Sequence, residues 1–254
     1  MSSMPYAPMF ARNRSARTGL LTIVVAIPEK VTWTVVPVAN AAAAREKAAA
    51  MAPEPVLLAG EQGGDPIEGF DLGNSPLDCT PDRVGGRTLV LTTTNGTRAM
   101  LKAADADAAA VAALTNVSAA ARWAATRGRE VTVLCAGEQG RFSLEDAVCA
   151  GLLVERLRRE DPAARLSDAA QAALCLGLLY GAHPDRLKRD ATWARQLDRR
   201  GRAADLDACL RIDTSSLVPQ IAAGAVALGG DTLTWPAGAA DTRTGPVSAP
   251  DANR

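Results

Sequence analysis

Histidine is almost missing from this sequence, with His183 the single example in 254 residues. A Ser-His-Asp triad or a multi-histidine metal centre therefore has next to no material to be built from. An excess of positive charge is missing too, since 28 basic residues meet 28 acidic ones. Nucleic-acid binders and polybasic membrane-surface binders carry a surplus of Lys and Arg, so neither nucleic acid nor a membrane is an expected partner. No window approaches the roughly 18 uninterrupted apolar residues of a membrane span. The longest candidate, Gly19 to Ile27, follows Arg12, Arg14 and Arg17 as the core of a signal peptide would. Pro28, Glu29 and Lys30 then stand where small cleavage-site residues belong. The five cysteines, Cys79, Cys135, Cys149, Cys175 and Cys209, are odd in number, scattered and never in CxxC spacing. That pattern excludes a disulfide framework and a zinc site, and reduced thiols of a cytoplasmic protein are the expectation.

What is present is ordinary for a globular protein, 48% apolar and 22% charged residues. A chain of this length buries roughly 70–75% of its unfolded surface and needs no staples. Residues 1–18 are polar, basic and without period, and 229–254 turn to Gly, Pro, Thr and Ala. The first reads as an irregular segment, the second as a flexible tail, and 19–228 as one domain.

Inside that domain, β-branched runs at Thr22 to Ile27 and Thr32 to Val38 read as buried strands, and Ala41 to Met51 reads as a helix that stops before Pro53. Val56 to Ala59 reads as a further strand that empties into a turn-rich segment, Gly60 to Pro81. Two units then repeat one order of strand, small-residue loop and helix. The first is Arg87 to Leu91, Thr92 to Thr97 and Arg98 to Ala109; the second is Glu130 to Leu134, Cys135 to Phe142 and Ser143 to Arg159. Ser167 to Arg200 is helical with a break at His183-Pro184. The alternation predicts an α/β fold, a mainly parallel sheet flanked by helices, with its site at the carboxyl edge of the strands.

Three segments carry chemistry. Thr92-Thr93-Thr94-Asn95-Gly96-Thr97 offers four hydroxyls, an amide and a glycine where a helix N-terminus presents unpaired N–H groups to an anion. Its alternative is a turn cornered at Asn95-Gly96 with Thr97 as the helix cap. In Cys135 to Asp146, the Ser143/Asp146 spacing makes a capping box, while Arg141 ahead of it can present a guanidinium to an anionic substrate. Gly60 to Pro76 holds four carboxylates and five glycines. Magnesium takes oxygen ligands and needs only one or two carboxylates beside substrate phosphate, and Glu61 and Asp71 are the plausible ligands; a solvated acidic loop is the alternative.

Gly69 to Pro76, Leu91 to Ala99, Cys135-Ala136-Gly137 and Ser143 to Asp146 fall in one order that resembles the 2-phosphosulfolactate phosphatase family, from about Val35 to Pro219. The resemblance implies a magnesium-dependent phosphatase that converts 2-phospho-3-sulfolactate to 3-sulfolactate and phosphate, a step of coenzyme M synthesis in methanogens, or a relative acting on another small phosphorylated acid. A non-catalytic member that keeps an anion pocket is the alternative. Asp71, Arg98, Arg141 and Arg195 are then the expected catalytic residues. Asn74, Ser75, Thr93, Thr94, Asn95, Gly96, Thr97, Gly137 and Ser143 are the expected substrate contacts, and a homo-oligomer stays open. Two stretches depart from the family pattern. Its N-terminal Asp-Val-Leu-Arg-Ala-Thr-Ser-Thr has only an echo in Thr22 to Ile27 with Arg17 upstream, and no aspartate precedes Asp65. Its Ser-x-His-Gly-Arg stands here as Ala191-Thr192-Trp193-Ala194-Arg195, which leaves His183 outside the motif, as a surface or helix-break residue.

Overall fold

A computed structural model describes residues 17–22, 34–127, 130–222 and 225–228. The segments 1–16 and 229–254, read above as irregular and as a tail, lie outside the described residues. Nine strands form one sheet: β1 (Arg17–Thr22), β2 (Thr34–Pro37), β3 (Val56–Gln62), β4 (Asp65–Pro66), β5 (Thr88–Thr92), β6 (Ala108–Ala112), β7 (Glu130–Cys135), β8 (Pro219–Ala222) and β9 (Ala225–Leu228), in the order β4-β3-β5-β2-β9-β8-β6-β1-β7. The helices that matter for the site are α1 (Ala41–Ala50), α2 (Pro81–Val84), α3 (Gly96–Ala103), α4 (Val117–Ala125), α5 (Leu144–Glu160), α6 (Asp168–Tyr180), α7 (Arg186–Asp190), α8 (Thr192–Arg199) and α9 (Ala203–Cys209).

The fold is α/β, but its sheet is made of two parallel trios rather than one parallel run. β3, β5 and β2 are parallel to one another, and so are β6, β1 and β7. Between the trios, β2 meets β9, β9 meets β8 and β8 meets β6, each antiparallel. Three reversals set the second trio opposite in sense to the first. Sheets twist by roughly 20–25° per strand, so the six steps from β5 to β7 accumulate on the order of 120–150°. That rotation undoes most of the reversal in space, and it brings the ends of β5 and β7 back toward each other.

Side-chain alternation shows what the twisted sheet encloses. Val35, Leu89, Ala59, Val111 and Leu134, drawn from both trios, and Ile221 of β8 between them pack with Ala99 and Met100 of α3 and Val84 of α2. Their neighbours one residue along point the other way. Val36 and Val90 meet Ala44 of α1, while Ala110, Ala112, Val131 and Val133 meet Val117 of α4 and Val148 and Leu153 of α5. Period-two alternation thus sorts each strand between α3 on one face and α1, α4 and α5 on the other. The outer layer is tight where α5 crosses α6. A β-carbon on Gly151 would stand 1.8 Å from the Ala173 carbonyl oxygen, and one on Gly177 2.5 Å from the Gly151 carbonyl carbon.

Three expectations need correction. The helix predicted over 98–109 ends at Ala103, and the alanine run that follows is β6, buried between β1 and β8. Alanine favours helix in isolation, but a strand covered on both faces close to helices rewards small side chains, and tertiary packing overrides the propensity. The first strand lies at Arg17–Thr22 rather than starting at Thr22, because its register against Ala108–Ala112 and Glu130–Cys135 sets it between β6 and β7; the rest of the predicted run lies outside the described residues. The strand predicted over 56–59 continues to Gln62, held by Gly60 against Thr92 and by Glu61 and Gln62 against β4.

Candidate functional site: the loop that opens α3

Thr92 closes β5, and the chain turns at once into α3. The turn is held by a reciprocal pair. The Thr97 N–H donates to Thr93 Oγ1 at 3.0 Å, and the Thr93 N–H to Thr97 Oγ1 at 3.1 Å. The helix begins at Gly96, two residues before the predicted cap at Thr97 would allow, and Thr93 supplies the capping hydroxyl. Asn95 occupies the cap position without capping. Its Oδ1 instead accepts the Gln139 N–H at 2.9 Å, which ties this loop to the one after β7. Among the described residues, the backbone N–H groups of Asn95, Gly96 and Arg98 have no partner, so the first turn of α3 presents a set of donors.

Beneath this loop lies Glu61, a buried carboxylate near the end of β3. Its Oε1 accepts from the Thr94 N–H at 2.6 Å, and its Oε2 from Thr94 Oγ1 at 3.0 Å and the Gly64 N–H at 2.7 Å. The Gly63 N–H in turn donates to Thr94 Oγ1 at 2.9 Å. Helices α8 and α9 hold the far side of this knot. Arg200 donates to the Gly63 carbonyl at 2.8 Å, pairs with Asp65 at 3.6 Å and stacks on Trp193 at 5.6 Å. Gly64 has a φ of 91°, and a β-carbon there would come 2.1 Å from the Arg200 guanidinium, so glycine is required. Further along, Ser75 donates to Asp205 at 2.6 Å, and Arg202 donates to Asp205 at 2.8 Å and to Asn74 at 3.4 Å.

After β7, Glu138 and Arg141 close a two-residue turn by exchanging N–H···O bonds of 3.0 and 2.8 Å. Gln139 and Gly140, at φ 51° and 77°, give it the handedness of a type I′ turn. Ser143 caps α5 through the Asp146 N–H, as the capping-box spacing predicts. The Asp146 carboxylate does not reach back to the cap, however. It accepts the Gly137 N–H at 2.7 Å, so it fixes the loop to the helix that follows. Burial pushes the Asp146 carboxyl up to about 7, with the Glu145 charge adding to the effect and the Gly137 and Ala136 N–H groups opposing it. Burial also raises Glu145.

The structure thus gathers Thr93, Thr94, Asn95, Gly96 and Thr97 with Gln139 and Glu61, and sets Arg98 and Arg141 on exposed surface of the same two loops. Asn74, Ser75, Gly137 and Ser143 serve bonds within the fold. Two expected residues are placed elsewhere. The Arg195 guanidinium donates to the carbonyls of Arg189 and Asp190 at 2.8 and 2.9 Å, closing the end of α7, and on α8 it lies roughly 200° around the helix from Trp193, which packs on the loops. Asp71 Oδ2 accepts the Leu58 N–H at 2.8 Å along the outer edge of β3. Glu61 lies three residues beyond Leu58, about 10 Å along the strand. One magnesium ion holds its ligands at about 2 Å, so two carboxylates that share it come within about 4 Å of each other. Glu61 and Asp71 do not fit as such a pair. Among the described residues no three His, Cys, Asp or Glu side chains gather as a metal site. His183 is exposed between α6 and α7, as its place beside Pro184 predicts.

Sequence reasoning passed over Gln139, Arg200 and the second bond of Asp146. Gln-Gly between Glu138 and Arg141 is a detectable signal for a tight turn. Nothing local marks the polar partners of Arg200, Gly63 and Asp65, which lie more than a hundred residues away. A shallow cleft of about 410 Å³ beside Ser118, Arg122 and Asp213 to Ser216 shares no residue with these loops.

The twisted α/β sheet thus carries an N–H- and hydroxyl-lined turn at the start of α3, whose apolar face packs on strands of both trios. The sequence model of the family described as 2-phosphosulpholactate phosphatase matches residues 21–224, and the chain belongs to that family. It is 35% identical over 192 residues to the probable 2-phosphosulfolactate phosphatase of Caldanaerobacter subterraneus subsp. tengcongensis, covering 76% of this chain and 79% of the relative. It is 41% identical over 178 residues to the protein of that name from Gloeobacter violaceus, covering 69% and 73%. With the one from Deinococcus radiodurans it shares 40% over 171 residues, covering 66% and 70%.

Proposed function

We propose that this chain hydrolyses the phosphate monoester of a small anionic acid, with 2-phospho-3-sulfolactate as substrate and 3-sulfolactate and phosphate as products. The observation that carries this reading is the first turn of α3, where the N–H groups of Asn95, Gly96 and Arg98 have no partner among the described residues while their neighbours Thr93, Thr94 and Thr97 are locked. Donors held in such a fixed turn suit a phosphoryl group whose equatorial oxygens carry charge through the reaction. Arg98 on α3 and Arg141 beyond the Gln139 turn supply the guanidinium groups that a substrate with phosphate, sulfonate and carboxylate needs. Water attacks phosphorus, the bond to the lactate oxygen breaks, and that oxygen takes up a proton.

A magnesium requirement belongs to this proposal through the family resemblance, and it supplies charge neutralisation at the transferring group; no ligand pair for it is assigned to Glu61 and Asp71. No helix among the described residues is long and apolar enough to cross a membrane, and a cytoplasmic setting completes the reading. Release of phosphate from synthetic 2-phospho-3-sulfolactate, with and without magnesium and after EDTA, tests it. Magnesium-dependent turnover is expected. Failure to turn over this substrate beside hydrolysis of another phosphorylated acid would move the substrate assignment, and failure on all of them would end the enzyme reading.

A further inference from the structure

We infer that Glu61 is a positioning residue that shapes the Thr92–Thr97 loop from below, and that it is not a ligand of the divalent cation; the inference rests on the phosphatase reading for the purpose of the loop, not for the tie itself. Glu61 is an acidic side chain in a loop-rich segment, which from sequence marks it as a metal ligand. In the fold it is 7% exposed, and both of its oxygens are already engaged by three donors. A cation bound to the same oxygens would face the positive ends of the Thr94 and Gly64 N–H groups and the Thr94 hydroxyl at close range. The donor set is that of an anion held by protein dipoles, and it opposes sharing that anion with a metal.

The geometry gives the carboxylate a different task. By taking the Thr94 N–H inward, Glu61 fixes the peptide plane between Thr93 and Thr94 just where the chain leaves β5. The next two N–H groups, those of Asn95 and Gly96, have no partner among the described residues. One donor is thus committed to buried Glu61, which fixes the turn from which its successors are presented. The Gly63 N–H on Thr94 Oγ1 and Arg200 on the Gly63 carbonyl brace the same knot from the β3–β4 turn. Glutamine in place of Glu61 would keep one acceptor and turn an NH2 donor against the Thr94 or the Gly64 N–H. Aspartate would keep both acceptors but fall one methylene short.

The experiment compares wild type, Glu61→Gln and Glu61→Asp as full-length protein, with folding checked by circular dichroism. Three readouts are taken: binding of inorganic phosphate in EDTA, binding of magnesium alone, and protection of the Thr94 amide against hydrogen exchange. Positioning predicts at least ten-fold weaker phosphate binding in EDTA for Glu61→Gln, a smaller loss for Glu61→Asp, loss of Thr94 protection and unchanged magnesium affinity. Weaker magnesium binding with phosphate binding and Thr94 protection intact would overturn it. If wild type binds no phosphate, the oxyanion reading of the loop fails separately. The tie is then decided by Thr94 protection, since protection kept in Glu61→Gln overturns it and protection lost upholds it.

Discussion

Asn95 and Gln139 join the two halves of the sheet across 44 residues of chain, through a 2.9 Å hydrogen bond from the Gln139 N–H to Asn95 Oδ1. β5 and β7, the strands that lead into these residues, run in opposite senses along the sheet, and the meeting of their loops follows from accumulated twist. The bond engages the Asn95 side chain away from α3, which it does not cap.

Asn95→Ala removes that bridge while leaving the Thr93/Thr97 pair intact. A net hydrogen bond is worth about 1 kcal/mol, or roughly five-fold in an equilibrium. Phosphate binding measured by calorimetry is expected to weaken by up to about that factor, with a small fall in the urea midpoint. Asn95→Asp should weaken it further, since a carboxylate would then face the anion. Equal affinity in all three proteins would separate this loop from anion binding.

Asp146 makes stability depend on pH. Its carboxyl is raised from 3.8 to about 7 by burial, so between those values the folded chain keeps a proton that the unfolded chain has released. Stability therefore falls as pH rises through the window, by at most about 1.4 kcal/mol per unit, and levels off above it. Asp146→Asn keeps an oxygen for the Gly137 N–H and cannot ionise. It is expected to match wild type near pH 4 and to exceed it by roughly 2–4 kcal/mol at pH 8. Urea unfolding at a series of pH values gives the difference. Glu145, also raised by burial, acts in the same sense but is common to both proteins. Parallel curves would show that Asp146 ionises normally.

Gly151 and Gly177 let α5 and α6 cross in contact. Gly151→Ala places a methyl group 1.8 Å from the Ala173 carbonyl oxygen, a backbone atom that cannot swing aside. The helices must separate, at a cost of about 3 kcal/mol. Thermal and urea unfolding should report that loss. A stability within about 0.5 kcal/mol of wild type would show that this crossing is looser than described.

Asn116 is fully buried and satisfies three backbone groups: it accepts the Ala113 N–H at 2.7 Å and donates to the Val111 and Leu217 carbonyls at 3.2 and 2.8 Å. Asn116→Asp has the same shape but no donor. Two buried carbonyls would then face an acceptor, and a loss of about 3 kcal/mol or more in unfolding free energy is expected, larger at pH 8 than at pH 5. A loss independent of pH would show that the carboxyl is already ionised in the fold at pH 5.

Most of the elements were legible in the chain because their signals are local. The 41–51 alanine helix, the break at His183-Pro184 and the cap at Ser143 follow from propensity, proline and side-chain spacing, and each is found within a residue or two. Ala108–Ala112 was not legible, since only its place between β1 and β8 makes five small residues a strand. The candidate site divides in the same way. The Thr92–Thr97 loop was identifiable from hydroxyl density after a strand, but the direction in which each group points was not.

The sequence by itself determined an α/β fold, most of its strands and helices along the chain, and its family. Only the tertiary structure decided that the sheet is two opposed parallel trios folded by twist around α3, that Asn95 reaches Gln139, that Arg195 turns away and that Glu61 is spent on Thr94 and Gly64. The reason is physical. Propensity and periodicity are set by neighbours within a few residues. The partner a carboxylate or guanidinium finds is set by strands and helices that come together from distant parts of the chain. A side chain of given type can be a ligand, a cap or a tie, and the donors that packing brings within 3 Å of it choose among them.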